Sequence, residues 1–307
     1  MLINNNIMIN WRMNMDRRHL RENRRHGTPQ FPLATYLQQQ ETNETILDNH
    51  WHDEAEFLWM LSGHAVFQIG LSTFELKAGE GIFIPCGEVH GGYALSSSSC
   101  TFIAVVFHMD WLTEAKDGIA TRFLQPLQRG DAVIPYVYNE GTVWGKLVLR
   151  HFANIYRLNE SSDPEKELRI KAELYGLFAD LIGYGQWTRR DPANPVDTQT
   201  MDRLKSVVAY IESHCGQPLT VPQLAAVAGM SIGHFSRVFK SFMRKTPMDY
   251  VNHYRIQQAA YLLQNTKMSV AEAAMEVGLA NFSYFSKKFR STYDCTPSQF
   301  RKKFRSL

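Results

Sequence analysis

Cysteine is scarce. The chain of 307 residues has 4, at Cys86, Cys100, Cys215 and Cys295, without paired spacing. That excludes a disulfide framework and reads as reduced thiols in a cytoplasmic protein. Long apolar runs are also missing. None approaches the roughly 20 residues a membrane span requires, and none follows a charged start as in a signal peptide. Net charge is small, +3, but unevenly placed. Residues 199–307 hold 15 Lys/Arg and 6 Asp/Glu, a balance of +9, whereas residues 1–198 hold 18 and 24, a balance of −6. The length suits two domains, each able to bury a core. A basic C-terminal domain beside a mildly acidic one confines any polyanion contact to one end of the chain.

What is present in the basic half is a pattern that occurs twice. Phe235-Ser236-Arg237-Val238-Phe239-Lys240-Ser241 precedes Thr246-Pro247, and Phe285-Ser286-Lys287-Lys288-Phe289-Arg290-Ser291 precedes Thr296-Pro297. The offset of 50 residues marks a duplicated small motif rather than a solenoid. Phenylalanines four apart form a core stripe, and the basic residues between them face outward. Upstream, Thr220-x-x-Gln223 and Ser269-x-x-Glu272 are capping boxes that open helices. Ala225 and Ala274 leave room for another helix to cross. Gly229 and Gly278 end those helices in the left-handed conformation that glycine adopts without steric cost. Helix, glycine turn and helix make a helix-turn-helix. Thr246-Pro247 and Thr296-Pro297 read as N-cap and N1 of further helices.

These runs resemble the AraC/XylS family of bacterial transcription regulators over roughly residues 200–305. The family usually places glycine two residues before Thr-Pro, where this chain has Arg244 and Asp294. Asp tolerates left-handed backbone better than Arg does, so the turn ending the first unit is expected to differ.

The helix opening at Pro247 is expected to reach about Gln264, a length of about 27 Å. Val251, Tyr254, Ala259, Leu262 and Leu263 suit packing against both units. Two recognition helices braced this way would sit a little under one B-DNA turn apart and enter successive major grooves of double-stranded DNA. A spacing short of the DNA pitch would bend the duplex. The start of each second helix meets base edges, which selects Ile232, Gly233, His234, Ser236 and Arg237, then Asn281, Phe282, Ser283, Tyr284 and Lys287. Arg237 is the foremost candidate for a guanine contact. Lys240, Arg244, Lys245, Lys288 and Arg290 are expected on phosphate. For each polar position, plain exposure without a base contact is the competing reading.

The N-terminal half carries His50-x-His52-x3-Glu56-x6-Gly63, then Gly79-x5-Pro85-x-Gly87-x2-His90. These resemble the two motifs of the cupin superfamily, except that Ala94 replaces the second motif's terminal asparagine. Runs 65–69, 81–85 and 101–107 are short, β-rich and bounded by turn residues, as in a sandwich or barrel. His50 and His52 alternate and share a strand face. With Glu56 and His90 they offer three imidazoles and a carboxylate, a set suited to zinc, iron, manganese or nickel. Sensor barrels of the resembling family often keep such histidines as pocket residues without metal, and a plain packing role is the third alternative. The resemblance implies a small effector in the barrel mouth, a sugar or sugar derivative, on which Trp51, Trp59 or Tyr93 could stack. Alternation from His52 turns Trp51 to the opposite face.

Residues 143–158 and 165–186 have helical periodicity. In the family a helical pair after the barrel dimerises; covering the barrel is the alternative. Residues 189–195, with two prolines, read as a linker. Residues 1–28, rich in Asn, Met and Arg, form an arm. The resemblance gives it a role over bound effector or on the DNA-binding domain; a disordered extension is the other reading.

The expected architecture is multidomain. An arm (1–28) leads into a cupin-like double-stranded β-helix barrel (29–140) with a flanking helical pair (141–187). A linker (188–199) then joins an all-α DNA-binding domain with two helix-turn-helix units (200–307). The expected function is a non-enzymatic, effector-controlled transcription regulator, a homodimer, more commonly an activator in this family and then a partner of RNA polymerase. The alternatives are a metal-dependent cupin enzyme fused to a DNA-binding domain, and a constitutive DNA-binding protein whose barrel is only a scaffold.

Overall fold

The computed structural model describes residues 20–22, 24–40, 45–95, 99–114, 117–190 and 198–305. Most of the expected arm and the Pro-containing part of the linker lie outside the described residues. The chain divides into two compact units, one containing Arg21–Pro195 and the other Val196–Leu307 together with Leu20.

The first unit is built on two antiparallel sheets. One has the order β1 (Leu33–Gln40), β8 (Cys100–Phe107), β3 (Ala55–Ser62), β6 (Gly81–Ile84) and β10 (Val137–Tyr138). The other has the order β2 (Thr45–His50), β7 (His90–Ala94), β4 (His64–Ile69) and β5 (Ser72–Lys77). Alternation assigns the faces. Leu58, Met60, Phe67, Leu76, Ile82, Ile84, Phe102 and Ala104 fill the space between the sheets. Phe57, Phe83, Ile103 and Val105 point the other way, into a second core. Strand β3 is therefore buried on both faces over most of its length, which is why it reads as a nearly unbroken apolar run.

That second core is completed by α3 (Val143–Asn159) and α4 (Lys166–Gly183), through Val148, Phe152, Ile155, Leu174, Leu177 and Phe178. The two helices cover the five-stranded sheet. Fully burying one such side chain stabilises by about 1.5–3 kcal/mol, so this layer is integral to the unit. Helix α4 stops at Gly183, short of the expected residue 186, and Gly185 turns the chain at φ 70°. Between β8 and α3 lie α1 (Asp110–Thr113), a π-helical turn (Ala120–Leu124), α2 (Gln125–Gln128) and β9 (Ala132–Val133).

The expected linker boundary needs correcting. Thr188–Arg189 form β11 on β9, and the Arg190 N–H donates to the Asp131 carbonyl at 2.8 Å. Residues 188–190 therefore belong to the first unit, and Thr198 already opens a helix. At the end of the expected arm, residues 21–22 and 24–28 belong to the first unit, as described below.

The second unit is all-helical: α5 (Thr198–His214), α6 (Val221–Val227), α7 (Ile232–Met243), α8 (Pro247–Asn265), α9 (Val270–Glu276), α10 (Phe282–Tyr293) and α11 (Pro297–Arg305). Both capping boxes are made. The Gln223 side chain accepts from the Thr220 N–H at 2.9 Å, and that of Glu272 accepts from the Ser269 N–H at 2.6 Å. Gly229 and Gly278 are left-handed, at φ 62° and 74°. Leu20 joins this unit, buried, its N–H donating to Glu212 Oε1 at 2.9 Å.

The turn after the first recognition helix does not differ from the second. Arg244 and Asp294 sit at φ 55° and 54°, the only positive-φ non-glycine residues among those described. Each must reverse the chain so that Thr246 or Thr296 can cap the next helix, and packing overrides the preference of Arg244 at a cost of about 1–2 kcal/mol. Helix α8 is 19 residues, about 28 Å long. Val251, Tyr254, Ala259 and Leu263 are buried within the second unit, while Leu262 is half-buried. Arg255, on the same helix, is buried and donates from Nε to the Cys215 carbonyl at 2.8 Å and from Nη2 to the Gln217 carbonyl at 2.6 Å.

Candidate functional site

The polar cluster at one end of the barrel interior follows from register. Glu56 shares the inward face of β3 with Leu58 and Met60. His50 ends β2 directly opposite His90, which begins β7. His52 follows two residues later, its ring centroid 5.5 Å from His50 and 5.0 Å from His90. The structure thus brings together all four residues expected from the sequence. All are buried, and their donor atoms lie within 4.8 Å of one another. Close approach of β7 to β2 requires the absence of a side chain at Gly91, where a Cβ would stand 2.0 Å from Asn49 Oδ1.

Hydrogen bonding fixes the tautomers. Nδ1 of His50, His52 and His90 faces the carbonyls of Asp48, Glu54 and Glu88 at 2.8, 3.1 and 2.8 Å. A carbonyl can only accept, so each Nδ1 carries a proton, and a ring that stays neutral turns an Nε2 lone pair inward. Glu56 Oε2 is 3.1 Å from His52 Nε2, which donates to it when that ring is charged, and 3.0 Å from His90 Nε2. The His90 nitrogen is not aligned for a hydrogen bond and finds no partner among the described residues.

The pKa directions report the same crowding. Burial, reinforced by His90, pushes His50 down to about 3. Burial also opposes charge on His52, but the hydrogen bond to Glu56 and the nearby carboxylates outweigh it and raise that pKa. For Glu56 burial opposes ionisation, yet His52 and His90 hold the carboxyl well below its usual range.

Two participants were not evident from the sequence. Glu22 and His26, from the segment leading into the barrel, are buried against this cluster. Glu22 Oε2 lies 3.2 Å from His26 Nε2 and 3.6 Å from His50 Nε2. His26 Nδ1 is 3.0 Å from the Tyr36 hydroxyl. The segment is held by the Glu22 N–H donating to the Trp51 carbonyl at 2.8 Å, by an Arg21–Asp53 ion pair, and by Arg24 over the Tyr36 ring at 4.1 Å. Nothing periodic marks Glu22, which sits in a basic run. Of the expected stacking residues, Trp51 lies under Arg21, at 5.1 Å, and Trp59 joins the core shared with the helical pair.

On the second unit, Ile232, Gly233, His234 and Arg237 are exposed at the start of α7, and Ser236 is half-buried. Phe282, Ser283, Tyr284 and Lys287 are exposed on α10. Asn281 caps that helix, accepting from the Tyr284 N–H at 2.9 Å, so its oxygen is committed and its amide N–H groups remain for a ligand. Lys240, Arg244, Lys245, Lys288 and Arg290 are all exposed. Phe235, Phe239, Phe285 and Phe289 are fully buried behind these faces. Ile232 and Phe282 are each 51 % exposed at N1 of their helices.

Known proteins resolve what this pairing of units is. Residues 32–178 match the AraC-like ligand binding domain, and residues 224–303 match a helix-turn-helix domain. The chain belongs to the AraC family of transcription regulators. This AraC-family chain is 28% identical over 288 residues to the uncharacterized HTH-type transcriptional regulator YdeC of Bacillus subtilis, covering 92% of this chain and 96% of that one. It is 24% identical over 262 residues to the Msm operon regulatory protein of Streptococcus mutans, covering 85% and 87%. The regulatory protein SoxS of Escherichia coli is 32% identical over 98 residues, 32% of this chain and 92% of SoxS. The chain is a DNA-binding transcription regulator with a ligand-binding domain. Its family and relatives are not enzymes, which sets aside the reading as a fused cupin enzyme. No helix among the described residues is long and apolar enough to cross a membrane.

Proposed function

We propose a cytoplasmic, sequence-specific regulator whose contact with double-stranded DNA is controlled by a small polar effector in the barrel. The observation that carries this is the pairing of two exposed helix starts, with basic residues along them, on one unit with a buried, acceptor-rich side-chain cluster in the other. The residues from Ile232 to Arg237 and from Asn281 to Lys287 read bases, and Lys240, Arg244, Lys245, Lys288 and Arg290 hold phosphate. The pocket presents Glu22, Glu56 and the inward Nε2 atoms of neutral rings, all acceptors, so its ligand must bring donors or positive charge. A sugar or sugar derivative supplies hydroxyl donors. Effector occupancy shifts the DNA arrangement only through different affinity in two states. Homodimerisation would use the outer face of α3 and α4, where Val143 and Leu168 are 60 % and 73 % exposed; where the outcome is activation, RNA polymerase is the further partner.

A second reading of the same pocket is supported by the fixed tautomers. Three Nδ1–H groups anchored on carbonyls are what metal-bound histidines use to hold orientation. With Glu56 they fit a divalent transition metal.

Selection of duplexes from a random library by the full chain at moderate salt, followed by thermal-shift screening of sugars and metals, tests both. Enriched sequences bound over competitor, and a sugar that raises Tm and alters that binding, are expected. Binding without sequence preference would overturn the regulator reading. Stabilisation by metal and by no sugar would favour the second reading of the pocket.

A further inference from the structure

We infer that Glu22 is a ligand of a divalent transition-metal ion held by His50, His52, Glu56 and His90, so that the ion fastens residues 21–27 across the end of the barrel. This rests on the metal reading of the pocket and deepens it by adding a ligand from outside the two cupin-like motifs.

Donor accounting leads there. With Nδ1 of His50, His52 and His90 committed to carbonyls, the Nε2 atoms of the neutral rings are acceptors, as are all carboxylate oxygens; His52 meets Glu56 only by carrying a second proton on Nε2, which an ion would replace. Acceptors packed against acceptors are unfavourable unless protons or a cation lie between them. Two of the atoms in the cluster remain unserved: Glu22 Oε1 and His90 Nε2 are buried without a hydrogen-bond partner. A buried carboxylate oxygen left so costs free energy that a cation would remove. Glu22, His26 and His52 form a second set of donor atoms within 4.8 Å of one another, sharing His52 with the first set. The Glu22 carboxylate thus adjoins the first set at His50, 3.6 Å away, and at His52 without joining it, so ligation requires it to move toward the ion.

Charge and ligand type agree. Neutral imidazoles with two carboxylates, Glu22 and Glu56, balance a divalent ion. Nitrogen and oxygen donors without thiolate suit zinc, iron, manganese, cobalt or nickel. The other contacts of the segment are an exposed ion pair, a ring-stacked arginine, one backbone hydrogen bond and the buried His26, 3.0 Å from the Tyr36 hydroxyl. The surface contacts contribute little individually, so a metal–carboxylate bond would add substantially to what His26 supplies.

The test uses the full chain, stripped by chelator and titrated with Co2+, read by visible absorption. Wild type should take up one equivalent, and His52→Ala should take up none. Glu22→Gln should lower the Co2+ affinity about 10–100-fold and change the absorption band, while Glu22→Asp recovers part of both. Saturating Co2+ should slow tryptic cleavage after Arg24 and Arg25 in wild type and not in Glu22→Gln. Equal Tm of wild type and Glu22→Gln in chelator shows that the variant folds; if it does not, partial recovery by Glu22→Asp decides the matter. Unchanged affinity, band and cleavage in Glu22→Gln, with His52→Ala inactive, would overturn the role of Glu22 and leave the metal reading standing. Failure of wild type to bind Co2+ or Zn2+ would overturn both, leaving DNA recognition untouched.

Discussion

In the barrel, His50, His52, Glu56 and His90 are each no more than 4 % exposed. On the reading helices, His234, Arg237, Tyr284 and Lys287 face solvent. The three rings of the first group are held by backbone carbonyls before any ligand arrives, and the pocket is rigid and selective by construction. The second group is exposed and satisfied by water, and on the proposed reading DNA displaces that water. Its side chains stay adjustable, and precision comes from the buried phenylalanines and the long helix α8 behind them. One unit positions its chemistry through hydrogen bonds to the chemistry itself; the other positions a scaffold and leaves the chemistry loose.

Substitutions sharpen that contrast. The largest effect is expected behind the reading surface. Phe285→Ala should destabilise the second unit by about 3–5 kcal/mol, whereas Phe282→Ala, three residues earlier and exposed, should change stability by less than about 0.5 kcal/mol. Chemical denaturation measures both, and similar values for the two would break the scaffold argument. Next comes Glu56→Ala, which leaves His52 without its buried partner and should cost the metal-free first unit about 3 kcal/mol. A loss near zero would mean the cluster is not preorganised by its carboxylate. Arg237→Ala should leave stability unchanged while costing about 1–3 kcal/mol of discrimination at one base pair; uniform weakening over all sequences would make it a phosphate contact. The smallest effect is expected at Arg244→Gly. Relief of left-handed strain should raise stability by about 1 kcal/mol, while loss of the charge should lower the salt slope of DNA binding by about one.

The two units also differ in how far the sequence revealed them. The second unit was legible almost throughout, because its signals are local. Capping boxes, left-handed glycines and Thr-Pro starts act within a few residues, and each was found where the spacing put it. Arg255 escaped notice because its partners, Cys215 and Gln217, lie about 40 residues away and no periodicity points to a buried cation. In the first unit the four motif residues were legible as a group, as were strands β4, β6 and β8, whereas β1 and the full extent of β3 were not. Strand β1 mixes apolar and polar residues on both faces, burying Gln38 and exposing Leu37, and β3 is apolar along both, so neither shows clean alternation. Glu22 and His26 were missed for the same reason as Arg255: their burial depends on where the chain docks, and the surrounding arginines suggest only a solvated segment. The Arg244 turn was misjudged because local preference yields to the need to start α8 at Thr246.

The account depends most on two reading helices acting as one rigid pair. Hydroxyl-radical footprinting of the full chain on a duplex enriched by selection tests this directly. Two protected regions on one face of the helix, about 10 base pairs apart, both lost on Phe285→Ala, are the predicted result. Protection of one groove alone by wild type, with Phe285→Ala leaving the pattern unchanged, would contradict it.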